Sequence, residues 1–279
     1  MKSHTVSSIS HLGIIKTLVI CTSLIALAPG HLLAAEESAS QSLWGDKTDI
    51  TLGLGAAVTP RFMGANHYRS VLLPTLSIQR GIFFADSLRG LGVQWQSPTG
   101  FAASAAFNYD MGRSTKNNGS RYGSNELKGM GTVGGATVAD INLSQQLLPW
   151  LSINGEAELR TGGEHRGNRY RLGVEGLVFH GSADTVTLDV DAHAGDGRYN
   201  QTYFGVSQEQ SQTASFKRFN ADAGIYAYSA ALNWQHTFDA HWSGMISAVV
   251  TQYTDQAHDS PLVQTDTGAM GLAAINYSF

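Results

Sequence analysis

Residues 271–279 read Gly-Leu-Ala-Ala-Ile-Asn-Tyr-Ser-Phe and end the chain on an aromatic residue. Alternate positions are small or apolar and lead to Ile275, Tyr277 and Phe279, a period of two that is typical of a β-strand. Soluble domains usually end in frayed polar segments, whereas a membrane barrel must pair its last strand with its first so that no edge remains. The stretch therefore predicts the closing strand of a membrane barrel, with Ile275, Tyr277 and Phe279 as its C-terminal assembly signal.

The first 35 residues have the order of a secretory signal. Lys2 and Lys16 precede an apolar run at 18–28, and small residues follow up to Ala35. The run is shorter than the ~20 residues that a membrane-spanning helix needs. We expect a signal peptide at 1–35 and a barrel at 36–279; an uncut inner-membrane anchor is the alternative. Cys21 would leave with the signal.

The composition limits the class of partner and the number of domains. The formal net charge is −4, and loss of the two lysines with the signal makes the remainder more acidic. An acidic chain of this kind is not a dedicated nucleic-acid binder. Because no linker or low-complexity segment divides the sequence, we predict one domain.

Alternating apolar and polar residues, bounded by Gly, Pro, Asn, Asp and Ser, predict a series of strands. The twelve candidate segments are 51–58, 72–79, 82–85, 91–96, 101–111, 138–147, 151–160, 170–180, 185–195, 225–238, 242–253 and 267–279. The weakest is 82–85, and losing it with a neighbour would give ten strands. The predicted fold is an all-β, transmembrane, antiparallel up-and-down barrel of twelve strands, with ten as the alternative.

The connections alternate in length along the chain. Short turns at 97–100, 148–150, 181–184 and 239–241 alternate with long loops at 111–137, 196–224 and 255–266. Bacterial barrels have short periplasmic turns, longer outer loops and an even strand count. We therefore expect a multi-pass protein of the Gram-negative cell outer membrane.

Polar residues occupy one face of three neighbouring predicted strands, and we expect that face to line the lumen because charge is unfavourable against lipid. The candidate lumen-lining charge network consists of Glu156, Glu158, Arg160, Arg169, Arg171, Glu175, Asp189, Asp191 and His193. Three interpretations stay open: general-base chemistry by Asp and His, a selectivity lining for a pore, and structural ion pairs that plug the lumen. Interleaved charges of both signs favour the structural interpretation.

Aromatic residues predict the borders of the bilayer. Tyr226 and Tyr228 lie near one end of the tenth strand, Trp234 and Phe238 lie near the other, and the alternation puts all four on one face. Two aromatic belts around a small-residue centre are the girdle pattern of membrane barrels.

Specific catalytic and nucleotide-binding motifs are absent from the sequence. It contains no Gly-x-Ser-x-Gly, His-Glu-x-x-His or Walker-type pattern, and we expect no catalytic residues, no metal and no cofactor. The loop that carries Arg113, Lys116, Arg121 and Lys128 is net basic, so contact with lipopolysaccharide phosphates and simple solvation are equal alternatives.

Several short sequence motifs, and the order in which they occur, resemble the MipA/OmpV family of outer-membrane MltA-interacting scaffold proteins. These motifs are Gly53–Ala57, Pro60–Ala65, Leu73-Pro74, Arg80–Phe84, Leu91–Val93, Tyr203–Ser207 and Asn276–Phe279. The resemblance implies a non-enzymatic barrel that acts as a scaffold or interaction protein in peptidoglycan remodelling and envelope integrity. Its implied partners are outer-membrane lipid and lipopolysaccharide, a lytic transglycosylase and a penicillin-binding protein.

The resemblance supplies no catalytic residues to carry over. Because the predicted periplasmic turns are short, residues 36–47 are the longest periplasmic segment for a scaffold to use. A narrow small-solute channel and a surface-exposed adhesin or antigen are the alternative functions.

Overall fold

A computed structural model describes residues 43–117, 119 and 121–279. The predicted signal peptide at 1–35, its cleavage point and residues 36–42 of the expected periplasmic segment lie outside the described residues. No helix in the described part has the length and apolar character that crossing a bilayer requires.

Twelve antiparallel strands form one closed barrel in the order β1-β14-β13-β12-β11-β10-β9-β8-β5-β4-β3-β2. Their bounds are β1 (Thr48–Pro60), β2 (Tyr68–Arg80), β3 (Phe83–Asp86), β4 (Gly90–Gln96), β5 (Phe101–Asp110), β8 (Ala136–Leu148), β9 (Leu151–Gly163), β10 (Arg169–His180), β11 (Asp184–Gly195), β12 (Gly224–Thr237), β13 (Trp242–Tyr253) and β14 (Thr267–Ser278). The prediction of twelve strands is confirmed, including its weakest member, which is β3.

The barrel closes where the sequence predicts. The first and last strands pair antiparallel from Thr51 with Ser278 to Val58 with Gly271. Both strand ends near the termini lie on the side of the short turns, which we call the short-turn rim; the opposite side is the long-loop rim. Closure removes the unpaired edges that lipid does not tolerate.

Strand alternation separates a lipid-facing surface from the lumen. Large apolar side chains point outward and are exposed, among them Leu72, Leu91, Phe107 and Leu172. Exposed aromatic residues lie at both rims: Trp150, Phe238, Trp242 and Phe279 at the short-turn rim, and Tyr68, Tyr109, Tyr170 and Tyr228 at the long-loop rim. These two belts are the expected aromatic girdles.

Tyr226 does not belong to the outer belt, so the prediction that it shares a face with Tyr228 is wrong. The β11–β12 register shifts between His193 and Ala194, which pair with Ala227 and Ile225. A bulge adds one residue to one strand and reverses the alternation beyond it. Tyr226 is this added residue, and its side chain is fully buried inside the barrel mouth.

The long loops fold into a structured cap over the long-loop rim. We call residues 61–67, 111–117, 119, 121–135, 196–223 and 254–266 the outer cap. It contains a short parallel pair, β6 (Arg113–Ser114) with β7 (Tyr122–Gly123), a 3-10 helix at Asn125–Leu127 and three α-helices, α1 (Gly197–Phe204), α2 (Gln208–Thr213) and α3 (Asp255–His258). Side-chain caps from Asp196 and Ser207 start α1 and α2.

Candidate functional site

The charged face predicted for β9, β10 and β11 forms one wall of the lumen. The register puts Arg171 of β10 opposite Glu156 on β9 and opposite His193 on β11. Glu175 lies directly opposite Asp189. Directly opposed residues on neighbouring strands are close enough for their side chains to interact, so the register itself assembles the charges.

Arg171 is the centre of the first group of ion pairs. Its Nη1 lies 2.7 Å from Asp191 Oδ1 and 2.9 Å from Asn154 Oδ1, and its Nη2 lies 3.2 Å from Glu156 Oε2. Gly173 gives the Asp191 carboxylate its room, since a Cβ at Gly173 would lie 2.0 Å from Asp191 Oδ1. The pairing compensates charges that are costly to bury alone.

A second group of ion pairs joins the wall to the β9–β10 connection. Glu158 binds Arg169, at 2.8 Å between Nη2 and Oε2, and also binds Arg166. Arg166 is fully buried, and its Nε lies 2.6 Å from Asp110 Oδ2 on β5. Burial is the largest single influence on the pKa of Arg166 and lowers it, but Glu158, Asp110 and nearby tyrosines together raise the pKa above its usual value.

Neutral polar groups extend the network onto β12 and β13. Asn233 Nδ2 donates to Asp189 Oδ2 at 2.6 Å, and Ser247 Oγ donates to Asn233 Oδ1 at 2.6 Å. His193 Nε2 lies 2.8 Å from Ser229 Oγ. Asp189 and Asp191 of this wall are therefore fixed by amide and guanidinium groups of the barrel.

The structure brings together eight of the nine residues predicted for the network, and Arg160 lies apart. Arg160 donates to the backbone carbonyls of Glu164 and Gly163, both at 2.8 Å, at the long-loop rim. This position near the end of β9 lets its side chain fold over the following loop.

Three charged residues of the network were not predicted: Asp110, Asp140 and Arg166. Asp110 and Asp140 occupy inward positions in the alternation of β5 and β8, so the sequence pattern could have identified them. Arg166 lies in a connection without periodicity, so no sequence pattern marks it. Asp140, Glu156 and Glu158 each have a carboxylate oxygen within 4.8 Å of the others, next to the two arginines that bind Glu158.

The predicted C-terminal assembly residues lie at the short-turn rim. Ile275 faces lipid, and the Tyr277 ring lies 4.9 Å from those of both Trp242 and Phe279. The Phe279 amide donates to the Ile50 carbonyl at 3.0 Å. The last residues are therefore built into the seam between the first and last strands.

The basic loop does not present all its charges to the surface. Arg113 is buried and donates to the Tyr203 carbonyl at 2.9 Å. Burial lowers the pKa of Arg113 to about 10, opposed by Tyr203. Lys116 and Lys128 are exposed, so only part of the loop remains available for an anionic lipid headgroup.

The described end of the predicted periplasmic segment is attached to the barrel. The Leu43 carbonyl accepts a hydrogen bond from the Ile82 amide at 3.2 Å, and the Trp44 ring stacks on Phe83 with centroids 5.1 Å apart. Arg80 Nε donates to the Trp44 carbonyl at 3.1 Å. Residues 43–45 thus cover the β2–β3 turn.

A closed twelve-stranded barrel with a lipid-facing belt and two aromatic girdles defines an outer-membrane β-barrel protein. Residues 52–279 match the family model described as MltA-interacting protein MipA. The chain belongs to this family. The resemblance found in the sequence is therefore confirmed.

A search of curated proteins finds no match. Among solved structures, the chain is similar to the COG4313 outer membrane channel from Pseudomonas putida F1, with 12% identity, a TM-score of 0.41 and coverage of 88% of this chain and 100% of that one. KdgM porin gives 8% identity, a TM-score of 0.37 and coverage of 83% and 99%. Pseudomonas putida OprB gives 9% identity, a TM-score of 0.39 and 75% coverage of this chain, which spans 59% of the length of OprB.

Proposed function

We propose that this barrel is a non-enzymatic interaction protein of the outer membrane that holds a peptidoglycan-remodelling enzyme at its periplasmic side. The family description, MltA-interacting protein, supports a lytic transglycosylase as the partner. A penicillin-binding protein would join through the same assembly. The short-turn rim is the face that such partners would reach.

The observation that carries the proposal is the packing of the outer cap across the barrel mouth. One cluster joins Phe62, Leu127, Met130, Val206 and Leu262, which come from all four segments of the outer cap. A second cluster packs Tyr199 and Phe204 of α1 on the inward-facing Tyr226 and Tyr253 of the strands. Buried apolar contacts of this kind resist opening of the outer cap. They therefore favour an interaction function over transport.

The lumen below the cap supports the same proposal. Its charged wall holds ion pairs that join neighbouring strands, which favours a rigid barrel. A rigid barrel can present fixed turns to a periplasmic partner. The described turns at 97–100, 181–183 and 238–241 each have exposed residues.

Photo-crosslinking from single turn positions tests the proposal. A photoreactive amino acid would replace Thr99, Ser182 or Ala240, which are exposed on three short turns. Gln208 in the outer cap is exposed as well and provides the matched control position. We expect a lytic transglycosylase to be captured in intact envelopes from at least one turn and never from Gln208. Absence of any peptidoglycan enzyme from all three turns would contradict the proposal.

A narrow cation channel is the second candidate, because carboxylates outnumber arginines on the charged wall. Rings of carboxylates favour cation conduction when a pore is open. Planar-bilayer recording of the folded protein separates the two functions. The interaction function predicts no steady conductance, whereas cation-selective single-channel steps would favour the channel.

A further inference from the structure

Glu175 and Asp189 form a pair of buried carboxyl groups in the charged wall, on the short-turn side of Arg171. The two residues are directly opposed in the β10–β11 register, and both side chains are buried. Their side chains are hydrogen-bonded to each other. Like charges that lie directly opposite on neighbouring strands destabilise a sheet, so two ionised carboxylates do not account for this contact.

The arginine of this region is already engaged with another carboxylate. Arg171 lies two inward positions from Glu175 on the same strand, and its Nη1 binds Asp191 Oδ1 at 2.7 Å. Within the part of the chain that the structure describes, Glu175 has no ion pair. The charged groups that face Glu175 are Arg171 of β10 and Asp189 and Asp191 of β11, whereas its neighbours on β9 and β12, Ser152 and Asn233, are neutral.

The hydrogen bonds on the Asp189 side run in one direction. Ser247 Oγ donates to Asn233 Oδ1, and Asn233 Nδ2 donates to Asp189 Oδ2, both at 2.6 Å. Asp189 is the acceptor at the end of this series, which favours its ionised form. Because an ionised carboxylate has no hydrogen to donate, the hydrogen bond between Asp189 and Glu175 requires a proton on Glu175.

We propose that Glu175 is a proton-binding site, which holds one proton at neutral pH and donates it to Asp189, so that a carboxyl–carboxylate hydrogen bond joins β10 to β11. Two carboxyl groups in contact share one proton because both cannot ionise so close together. The proton therefore has the role in this part of the wall that the guanidinium groups have nearer the outer cap. At alkaline pH the pair loses the proton, and two negative charges then repel each other across the strands.

This proton makes stability depend on pH in a defined direction. The carboxyl groups of an unfolded chain have lost their protons above about pH 5, so unfolding at neutral pH releases the proton of Glu175. The unfolding equilibrium constant should then rise about tenfold for each unit of pH, until the folded protein itself has lost the proton. The stabilisation is fully present in acid and is lost as the pH rises.

Two glutamine variants on the charged wall separate this proton from the other charges. Glu175→Gln keeps a hydrogen-bond donor for Asp189 but cannot titrate. Glu156→Gln is the matched control, because Glu156 has its own counter-charge in Arg171, at 3.2 Å between Oε2 and Nη2.

Urea titration of the folded barrel in detergent micelles, repeated from weakly acidic to alkaline pH, measures the unfolding equilibrium constant of all three proteins. The contributions of histidines and other groups common to the three proteins cancel in the comparison. We expect the unchanged protein and Glu156→Gln to release about one more proton on unfolding than Glu175→Gln, a difference of about tenfold per pH unit.

Infrared spectra of the folded proteins provide a second measurement, which does not depend on unfolding. At neutral pH the unchanged protein should show the carbonyl absorption of a protonated carboxylic acid, and this absorption should disappear at alkaline pH. Glu156→Gln should retain the absorption, and Glu175→Gln should lack it.

Equal pH dependence in Glu175→Gln and the unchanged protein would overturn the proposal, as would a neutral-pH spectrum without the protonated-acid absorption. A urea midpoint that falls when a metal chelator is added at constant pH would overturn it too, because a metal cation would then join the carboxylates. If Glu175→Gln fails to fold, judged by gel mobility with and without heating, Asp189→Asn replaces it. That variant puts an amide donor opposite Glu175, which then needs no proton, and should also abolish the absorption.

Discussion

The two opposite walls of the lumen have the same backbone geometry and contrasting chemistry. On β9, β10 and β11 the inward positions hold buried carboxylates, arginines and His193. On β13, β14, β1 and β2 the inward positions include Met245, Leu272, Ala57 and Leu73, which pack together, beside neutral polar residues such as Ser247, Thr251 and Asn276. The first wall is held by directional ion pairs and the second by apolar contact.

This contrast shows that facing the lumen does not require a polar side chain. Alternation decides which residues point inward, and the neighbours inside the barrel decide which chemistry is tolerated there. The charged wall has polar groups within reach across strands, so its charges are compensated. The apolar wall adjoins the outer cap, so its inward side chains are covered by other apolar groups.

Removing one arginine from the charged wall should have the largest effect on stability. Arg171→Met leaves Glu156 and Asp191 without their shared guanidinium group, which costs about 3–5 kcal/mol when buried partners lose their counter-charge. The free energy of unfolding would be measured by urea titration in detergent micelles. Arg160→Met is the matched control and should cost about 1 kcal/mol or less, since Arg160 bonds only loop carbonyls. Equal losses in the two variants would show that the charged wall is not a coupled network.

Shortening a side chain on the apolar wall should have an intermediate effect. Leu272→Ala removes buried methyl groups beside Met245 and Ala57 and leaves a cavity, which costs about 2–3 kcal/mol in cores that relax partially. The same urea titration measures the loss. Ala273→Gly, on the lipid-facing side of the same strand, is the control and should cost about 1 kcal/mol from backbone entropy. A larger loss for Ala273→Gly than for Leu272→Ala would mean that the apolar wall contributes little.

The two walls were not equally predictable from the sequence. On β9 and β11 one face is charged and the other apolar, so the lumen face is evident from the requirement that charge avoid lipid. On β1 both faces carry small or apolar residues, for example Gly55 beside Ala56, so its orientation follows only from pairing with β14. The closing aromatic pattern predicted that pairing correctly.

The outer cap could not be predicted for a different reason. Tyr226 turns inward because of a bulge opposite His193, and bulges leave no mark in a strict alternation. Arg166 and the helices of the outer cap depend on contacts between distant loops, which local patterns do not encode.

The β12–β13 turn lies on neither wall. Its carboxylate, Asp239, should make the smallest contribution to stability, and the loss of that contribution should be measurable only at acidic pH. The pKa of Asp239 lies below its ordinary value of 3.8 because its carboxylate accepts backbone hydrogen bonds from His241 and Trp242; the two amides lie at 2.8 Å. A depressed folded-state pKa gives stabilisation that is fully present above pH 3.8 and is lost as the pH falls through the folded value.

Urea midpoints measured between neutral and acidic pH should separate this turn from the charged wall. Asp239→Asn keeps an acceptor oxygen but cannot titrate, so its midpoint should fall slightly less in acid than that of the unchanged protein. Asp239→Ala lacks the acceptor and should be weaker across the whole range. If the urea midpoint of Asp239→Asn kept the full pH dependence of the unchanged protein, that dependence would arise from the carboxylates of the charged wall. Arg171→Met would then be expected to change the pH dependence of the urea midpoint.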